Sequence, residues 1–221
     1  GDWFYEAVQY VYDKGMMTGV SADRFAPAST TTRGMIVTIL YRLENEPAVS
    51  GGSAFTDVES GAWYADAVAW AAANDIVNGT SATTFSPNGT MTRAMLVTAL
   101  WRLEGEPAAA GTSGFPDVKP DAWYAEAVDW ASQTDIVSGT GAGFDPEGSV
   151  TREQIASILY RYAKLKGWDV SKTANLQDFA DGTDTSAWAT RAMEWAYAEK
   201  IGKEIVMAEQ GWIEEYLERV E

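Results

Sequence analysis

The sequence predicts a mostly α-helical protein built from tandem helix-loop-helix repeats, and two observations lead to this fold class. First, residues 55–105 read FTDVESGAWYADAVAWAAANDIVNGTSATTFSPNGTMTRAMLVTALWRLEG, and the pattern returns at 115–164 and, without its opening Phe-x-Asp-Val, at 2–45. Second, apolar residues recur at helical spacing on both sides of a loop rich in Gly, Ser, Thr and Pro. A long fixed period indicates one supersecondary unit that buries its apolar faces against neighbouring copies.

Five kinds of anchor residue define the repeat, and the first two intervals between Trp anchors are both 60 residues. The anchors are Trp3, Trp63, Trp123 and Trp188; Gly19, Gly79 and Gly139; Phe25, Phe85 and Phe144; Pro27, Pro87 and Pro146; and Arg33, Arg93 and Arg152. The fourth copy loses the pattern after Ile201. We therefore divide the chain into units at residues 1–50 (opening truncated), 51–110 and 111–169, followed by a partial fourth unit with a divergent helical tail at 170–221.

Each unit is expected to contain two helices. The first begins near the Trp anchor and buries the second Trp of the motif, Trp70 or Trp130. The second begins after a Thr N-cap, so that the Arg anchor becomes its first residue. The intervening Phe-x-Pro segment is expected to be extended, because a residue before proline avoids the α region. Residues 178–221 are expected to form a structural cap, with Trp195 and Trp212 buried.

Composition excludes several classes of function. The chain has 221 residues, a net charge of −16, and neither Cys nor His. An acidic surface repels phosphate backbones, so nucleic-acid binding is not expected. Without Cys and His there are no thiol nucleophiles, Cys/His zinc sites or Ser-His-Asp triads. No EF-hand loop or P-loop occurs either, so we predict no catalytic residue, no metal and no cofactor.

The sequence also bears on membrane spans and on whether the chain has been processed. It contains no apolar run of about 18 residues, so no membrane span is predicted. The chain begins Gly-Asp-Trp-Phe inside a repeat and without Met, which indicates a processed or excised fragment.

The Thr-Arg step is the strongest candidate for a binding site. A cation at a helix N-terminus is mildly unfavourable, yet three units place Arg there. Free helix N–H groups together with a guanidinium would suit a carboxylate or phosphate. An ion pair with an acid of the repeat, Asp57, Asp75 or Asp117, explains the arginine equally well. Trp63 and Trp123 likewise suit either the core or a sugar-stacking surface.

The pattern Phe-x-Asp-Val, Trp-Tyr-x-x-Ala-Val-x-Trp-Ala, Ile-Val-x-Gly, Phe-x-Pro, Thr-Arg resembles the S-layer homology domain, over residues 2–164 and, in part, 178–201. The resemblance implies a pseudo-threefold, mostly helical spindle with a central bundle and three arms. Grooves between the units would bind secondary cell-wall polysaccharide, often through the carboxylate of a pyruvate ketal on an amino sugar. The implied location is secreted, on the cell wall or S-layer of a Gram-positive-type bacterium.

The resemblance also implies the site residues. Arg33, Arg93 and Arg152 match the family's groove arginine and would take the carboxylate. Gly79 and Gly139 match its loop glycine, and Trp63 and Trp123 would offer apolar sugar contacts.

The chain departs from the family's Thr-Arg-Ala-Glu motif, which reads Thr-Arg-Gly-Met, Thr-Arg-Ala-Met and Thr-Arg-Glu-Gln in the three units. Gln154 can complete a capping box, whereas Met35 and Met95 cannot. We therefore expect the first two grooves to bind less strongly than the third.

The expected function is that of a non-catalytic module that anchors a protein to the wall through an anionic, pyruvylated polysaccharide. Two alternatives stay open. One is a self-assembly module whose partner is a neighbouring surface-layer protein. The other is a wall-glycan hydrolase that uses Asp or Glu, although no acid pair in an apolar setting stands out.

Overall fold

The computed structural model describes Arg24 and residues 26–141, 143–171, 175, 176 and 179–199. This part of the chain contains six α-helices, one 3-10 helix and isolated β-bridges. The helices are α1 (Arg33–Leu43), α2 (Ala65–Ala73), α3 (Arg93–Leu103), α4 (Ala125–Gln133), α5 (Arg152–Leu165) and α6 (Thr190–Glu199), and the 3-10 helix is Gly182–Asp184. The predicted mostly helical fold class is confirmed. The predictions for Trp3, Gly19, Phe25, Trp212 and residues 202–221 lie outside the described residues.

The chain forms two compact units. The larger unit contains residues 30–151 and 161–168. The smaller unit contains, among the described residues, Arg24, 26–29, 152–160 and those from 169 to 199. The helix α5 contributes residues to both.

A closed ring of backbone hydrogen bonds joins the three repeats within the larger unit. The N–H of Thr31 donates to Val150, the N–H of Val150 to Met91, and the N–H of Met91 to Thr31, each at 3.0 Å. Antiparallel bridges flank the ring at Thr30–Thr151, Thr32–Thr90 and Thr92–Ser149. All three ring residues are buried. The ring thus gives the three segments pseudo-threefold symmetry.

The helices α1 and α3 begin directly after this ring. Their N-cap hydroxyls, those of Thr32 and Thr92, accept the N–H of Met35 and Met95 at 3.3 Å, as expected. The first two helical amides donate to carbonyls of the following repeat's loop. These bonds are Arg33 to Gly89 (2.8 Å), Gly34 to Pro87 (2.8 Å), Arg93 to Gly148 (2.9 Å) and Ala94 to Pro146 (2.9 Å). In the smaller unit, α5 begins in the same way, since Arg152 and Glu153 donate to Ser29 and Pro27.

The Phe-x-Pro segments are not extended, so that expectation is wrong. The residue before proline has a positive φ in each repeat: 53° at Ala26, 59° at Ser86 and 59° at Asp145. This left-handed conformation is unfavourable for residues other than Gly. In the second repeat a carboxylate offsets the cost, because Asp57 accepts the N–H of Phe85 at 2.8 Å and that of Ser86 at 2.7 Å.

In the second and third repeats, the first helix packs against the second helix of the preceding repeat. In the larger unit, α2 packs on α1 and α4 packs on α3. The rings of Tyr41 and Trp70 lie 5.4 Å apart between centroids. Trp70 and Trp130 are both buried, as expected for the core.

The smaller unit repeats this packing with the fourth repeat's helix. Trp195 of α6 is 2% exposed and meets the ring of Tyr160 at 5.4 Å. The N–H and hydroxyl of Ser186 donate to the Glu153 carboxylate at 2.9 and 3.0 Å. These contacts fix α6 against the first part of α5, which is the role that a structural cap requires.

We expect Trp195→Ala to lower the free energy of unfolding by about 3–5 kcal/mol, because it removes a large buried aromatic side chain. Trp188→Ala is the matched control. Trp188 is 57% exposed, so its loss should change stability by about 0.5 kcal/mol or less. Urea denaturation of both variants measures the difference, and equal effects would contradict the proposed packing of α6.

Candidate ligand-binding groove

Arg33 extends from the start of α1 into the loop of the second repeat. Its Nε donates to the carbonyl of Phe85 at 2.8 Å, and its Nη2 donates to the carbonyl of Asn78 at 2.6 Å. The guanidinium carbon lies 4.5 Å from the centre of the Phe85 ring. The side chain is largely enclosed, since Arg33 is 5% exposed. Burial lowers the pKa of Arg33, but an arginine remains charged at neutral pH.

Arg93 repeats this arrangement one unit later. Its Nε donates to the carbonyl of Phe144 at 2.7 Å, its Nη2 donates to that of Ser138 at 3.3 Å, and its guanidinium carbon lies 4.8 Å from the Phe144 ring centre. Arg152 begins α5 in the smaller unit and is also buried. The three predicted arginines therefore occupy equivalent positions at the starts of their helices.

The acid of Phe-x-Asp-Val organises the loop that receives the arginine. Asp57 binds the amides of Phe85 and Ser86, and Asp117 binds those of Phe144 and Asp145 at 2.8 and 2.7 Å. The Phe85 amide is the main reason that the pKa of Asp57 lies below its ordinary value, and the Arg33 charge adds to this effect. Sequence reasoning considered these acids only as ion-pair partners of the arginine and missed this role.

The expected helix N-terminal anion site and the alternative ion pair both need correction. The first two amides of α1 and α3 are not free, because carbonyls of the next repeat accept their hydrogen bonds. Among the described residues, neither Arg33 nor Arg93 has a carboxylate oxygen within 4.0 Å. Any anion at these sites would therefore meet the guanidinium and not the helix amides.

The loop glycines are required by close approach and not by their φ angles. A Cβ atom at Gly79 would lie 2.5 Å from a ring carbon of Phe55 and 2.5 Å from the carbonyl oxygen of Thr84. At Gly139 it would lie 2.7 Å from the carbonyl of Gly143. Glycine thus lets the loop close on itself directly after the carbonyl that binds the arginine, that of Asn78 in the second repeat.

Three repeats contribute to one groove in the larger unit. Its cavity has a volume of ≈ 210 Å³, and its lining includes Arg33, Gly79, Met95, Thr98, Arg102 and Trp123. Trp123 is 59% exposed, so its ring is accessible to a ligand. The groove therefore combines two cations and an open aromatic face in a chain whose net charge is −16.

The predicted residues do not all meet in this groove. It contains Arg33, Gly79 and Trp123, whereas Trp63 is half-buried beside Tyr64 and does not line it. Met95, Thr98 and Arg102 were not predicted as site residues. All three lie on the second helix of the second repeat and line the groove together with that repeat's arginine-binding loop. Spacing within one repeat does not reveal this, because the arginine comes from another repeat.

Among the residues that the structure describes, no three or more acidic side chains are arranged to hold a metal ion. In the same part of the chain, no helix has the length and apolar character needed to cross a membrane.

These features define a helical repeat module with a groove between its repeats. The family model of the S-layer homology domain matches residues 1–34, 54–94 and 114–156, which together make up more than half of the chain. The chain therefore belongs to the S-layer homology domain family, and the resemblance seen in the sequence is confirmed. Domains of this family are non-catalytic modules that bind cell-wall polysaccharide and anchor proteins at the cell surface.

Similar proteins include surface-layer proteins and enzymes. A surface-layer 125 kDa protein of Lysinibacillus sphaericus is 31% identical over 86% of this chain and 17% of its own length. An amylopullulanase of Thermoanaerobacterium thermosulfurigenes is 30% identical over 67% of this chain and 8% of its own length. An S-layer protein of Bacillus anthracis is 24% identical over 77% of this chain and 21% of its own length. The chain thus spans less than a quarter of each of these relatives.

We expect Asp57→Ala to lower the free energy of unfolding at pH 7 by about 1–2 kcal/mol, because two partly buried amides lose a charged acceptor at a site that solvent screens in part. Hydrogen bonds from the Phe85 and Ser86 amides hold the pKa of Asp57 below its ordinary value in the folded chain. Its contribution is therefore present at pH values well above that ordinary value and is lost as the pH falls through the folded pKa. The difference between the variant and the original chain should therefore shrink at pH 3. Urea denaturation at both pH values tests this, with the exposed Glu59→Ala as control, and a difference that does not depend on pH would contradict it.

Proposed function

We propose that this chain anchors a larger surface protein to the wall by binding an anionic, pyruvylated secondary cell-wall polysaccharide between its repeats. The observation that carries the proposal is the enclosed charge of Arg33 beside the exposed ring of Trp123 in one groove. This combination suits a sugar that bears a carboxylate.

The guanidinium of Arg33 is the carboxylate-binding group. Its Nε and Nη2 are held by carbonyls, which fix the orientation of the planar group. Its Nη1 faces the sulfur of Met95 at 3.5 Å, a weak acceptor, and retains donor capacity for a ligand. Charge-assisted hydrogen bonds from arginine to a carboxylate are stronger than neutral ones.

The other groove residues suit the sugar. The open face of Trp123 can stack on the apolar face of a pyranose ring, as aromatic side chains do at binding surfaces. Arg102 supplies a second positive charge, and its Nε lies 3.8 Å from Glu106. Gly79 keeps the loop backbone close to the ligand. Arg93, Arg152, Gly139 and Trp63 hold the equivalent places in the other repeats, and we propose the same roles for them.

We propose the kind of larger protein that carries this segment from its relatives, because the chain spans only a small part of their length. Both S-layer proteins and an amylopullulanase contain a similar segment. We propose that the segment supplies wall attachment in either setting, with a neighbouring surface-layer protein as a further possible partner. Self-association of the chain without wall binding would favour the assembly role instead.

Binding is expected to require the acidic group of the glycan. Removing the pyruvate ketal from purified wall polysaccharide should weaken binding by about tenfold or more, since a charge-assisted hydrogen bond contributes about 1.5–3 kcal/mol. Calorimetric titration of the chain with native and pyruvate-stripped polysaccharide measures this. Equal affinity for the two preparations would contradict the proposed carboxylate-binding role.

Trp123→Ala is expected to weaken binding in the Arg33 groove by about three- to tenfold, because a stacked aromatic contact is worth about 0.5–1.5 kcal/mol. The control is Trp168→Ala. Trp168 is 36% exposed and packs edge-on against Tyr162 at 5.8 Å, away from the groove lining. The same titration compares both variants, and an equal loss in both would mean that Trp123 has no specific contact with the glycan.

A further inference from the structure

The loop of the first repeat is held by an acid of the fourth repeat. The carboxylate of Asp181 accepts the N–H of Ala26 at 2.7 Å, and 155 positions separate the two residues. In the second repeat the equivalent N–H, that of Ser86, donates to Asp57 at the same distance, and the third repeat makes the matching bond. The first repeat therefore receives from the fourth repeat a contact that the other two repeats make for themselves.

The segment around Asp181 is a fourth copy of the repeat's opening. The three copies in the described residues are Phe-Thr-Asp-Val at 55–58, Phe-Pro-Asp-Val at 115–118 and Phe-Ala-Asp-Gly at 179–182. The same turn closes the copies, since the carbonyl of Phe179 accepts the N–H of Gly182 at 3.1 Å, and that of Phe55 accepts the N–H of Val58 at 3.3 Å. Asp181 precedes a short 3-10 helix, but its side chain makes no capping hydrogen bond there. Its carboxylate serves the first repeat instead.

The bond to Asp181 supports a backbone conformation that is costly by itself. Ala26 has a φ of 53°, in the left-handed region that is unfavourable for a residue with a Cβ atom. Ser86 has nearly the same φ, 59°, and makes the same bond to a carboxylate. A charged acceptor on the N–H of such a residue offsets part of the cost. The conformation of residues 26–29 thus depends on the fourth repeat.

The helix α5 begins on this loop. The N–H of Arg152 donates to the carbonyl of Ser29 at 2.9 Å, and the N–H of Glu153 donates to that of Pro27 at 3.1 Å. A helix start is fixed when acceptors satisfy its first amides, which have no partner within the helix. The loop that Asp181 holds therefore places Arg152, the first residue of α5.

The fourth repeat also binds α5 itself. The N–H and hydroxyl of Ser186 donate to the Glu153 carboxylate at 2.9 and 3.0 Å, and the ring of Trp195 lies 5.4 Å from that of Tyr160. A cap that only covered an apolar end would need the contact of Trp195. It would not need the polar bonds of Asp181 and Ser186, which act on the loop and on the helix start.

We propose that the fourth repeat completes the first repeat, with Asp181 as the acid that holds the first repeat's loop and thereby positions Arg152 for ligand binding. Asp181 is a positioning residue, because it acts through residues 26–29 and not by contact with the glycan. The part of this inference that concerns ligand binding rests on the proposed function of Arg152. The part that concerns the joining of the two repeats does not.

Amide hydrogen exchange, followed by NMR, tests the joining of the repeats without a ligand. In Asp181→Ala we expect the amide of Ala26 to exchange at least about tenfold faster, because it loses a charged acceptor. The amides of Arg152 and Glu153 should also exchange faster, by about threefold or more, because the loop that accepts their hydrogen bonds is no longer fixed.

Two matched substitutions serve as controls. Asp184→Ala makes the same charge change at an exposed position of the same 3-10 turn, and it should leave these three amides unchanged. Asp57→Ala removes the equivalent acid of the second repeat, so it should accelerate the amide of Ser86 and leave that of Ala26 unchanged. Asp181→Ala should have the reverse effect.

Asp181→Asn keeps the test decisive if Asp181→Ala does not fold. Asparagine has nearly the same shape and keeps one acceptor oxygen without the charge, so the amide of Ala26 should exchange about threefold faster. An unchanged rate at Ala26 in Asp181→Asn would overturn the joining of the repeats. Faster exchange at Ala26 with unchanged rates at Arg152 and Glu153 would overturn the positioning role.

A double-mutant cycle with Arg152→Ala tests the positioning role in binding. Calorimetric titration with purified native wall polysaccharide compares the original chain, Asp181→Asn, Arg152→Ala and the double variant. We expect Asp181→Asn alone to weaken binding by about threefold or more. In the Arg152→Ala background the same substitution should have no further effect, because Asp181 acts through Arg152. A contact that only stabilised the fold would not produce this dependence.

The outcomes separate this inference from the proposed function. If Arg152→Ala binds the polysaccharide as well as the original chain does, the proposed function of Arg152 fails, and the exchange rates alone then decide whether the fourth repeat completes the first. If Arg152→Ala weakens binding but Asp181→Asn does not, only the positioning role is overturned. A loss from Asp181→Asn that is equally large with and without Arg152 overturns it as well.

Discussion

Three backbone hydrogen bonds, between Thr31, Met91 and Val150, are the constraint on which the groove depends. Thr31 and Met91 directly precede the threonines that cap α1 and α3, so the ring sets where these two helices begin. A buried amide that loses its acceptor costs about 1–3 kcal/mol, and opening one bond of the ring also frees the neighbouring segments. The repeats therefore need one another, because no repeat can close the ring alone.

The position of the helix start in turn decides what the arginine does. In the second repeat one peptide group links Asp57 to Arg33. The N–H of Ser86 donates to the carboxylate, and the carbonyl of Phe85, which belongs to the same peptide group, accepts from the guanidinium. Hydrogen bonds that share groups in this way strengthen one another in a low-dielectric interior. The guanidinium is thus oriented by neutral groups, and the charge of Asp57 supports it without neutralising it by contact.

Sequence patterns predicted the parts of this structure that are local. Thr92 as a cap, Arg93 as the first helical residue and Trp70 as core all follow from spacing within one repeat. The remaining features depend on pairing between repeats, which spacing does not encode. Trp123 meets the groove of Arg33 although 90 residues separate them. The left-handed Ser86 opposes the usual preference before proline, and it is explained only by the carboxylate of Asp57, 29 residues earlier.

The departure from the family motif at Met95 shows how such pairing changes the meaning of a residue. Considered within one helix, Met95 only fails to complete a capping box, and a weaker helix start is the natural expectation. In the assembled groove, the same side chain contacts an arginine of the preceding repeat, since its sulfur lies 3.5 Å from Nη1 of Arg33. The acidic surface does not cancel the charge of this arginine, because exposed charges are screened beyond about 8–10 Å at physiological salt, whereas enclosed charges are screened much less. A chain with a net charge of −16 can therefore keep a local site for an anion.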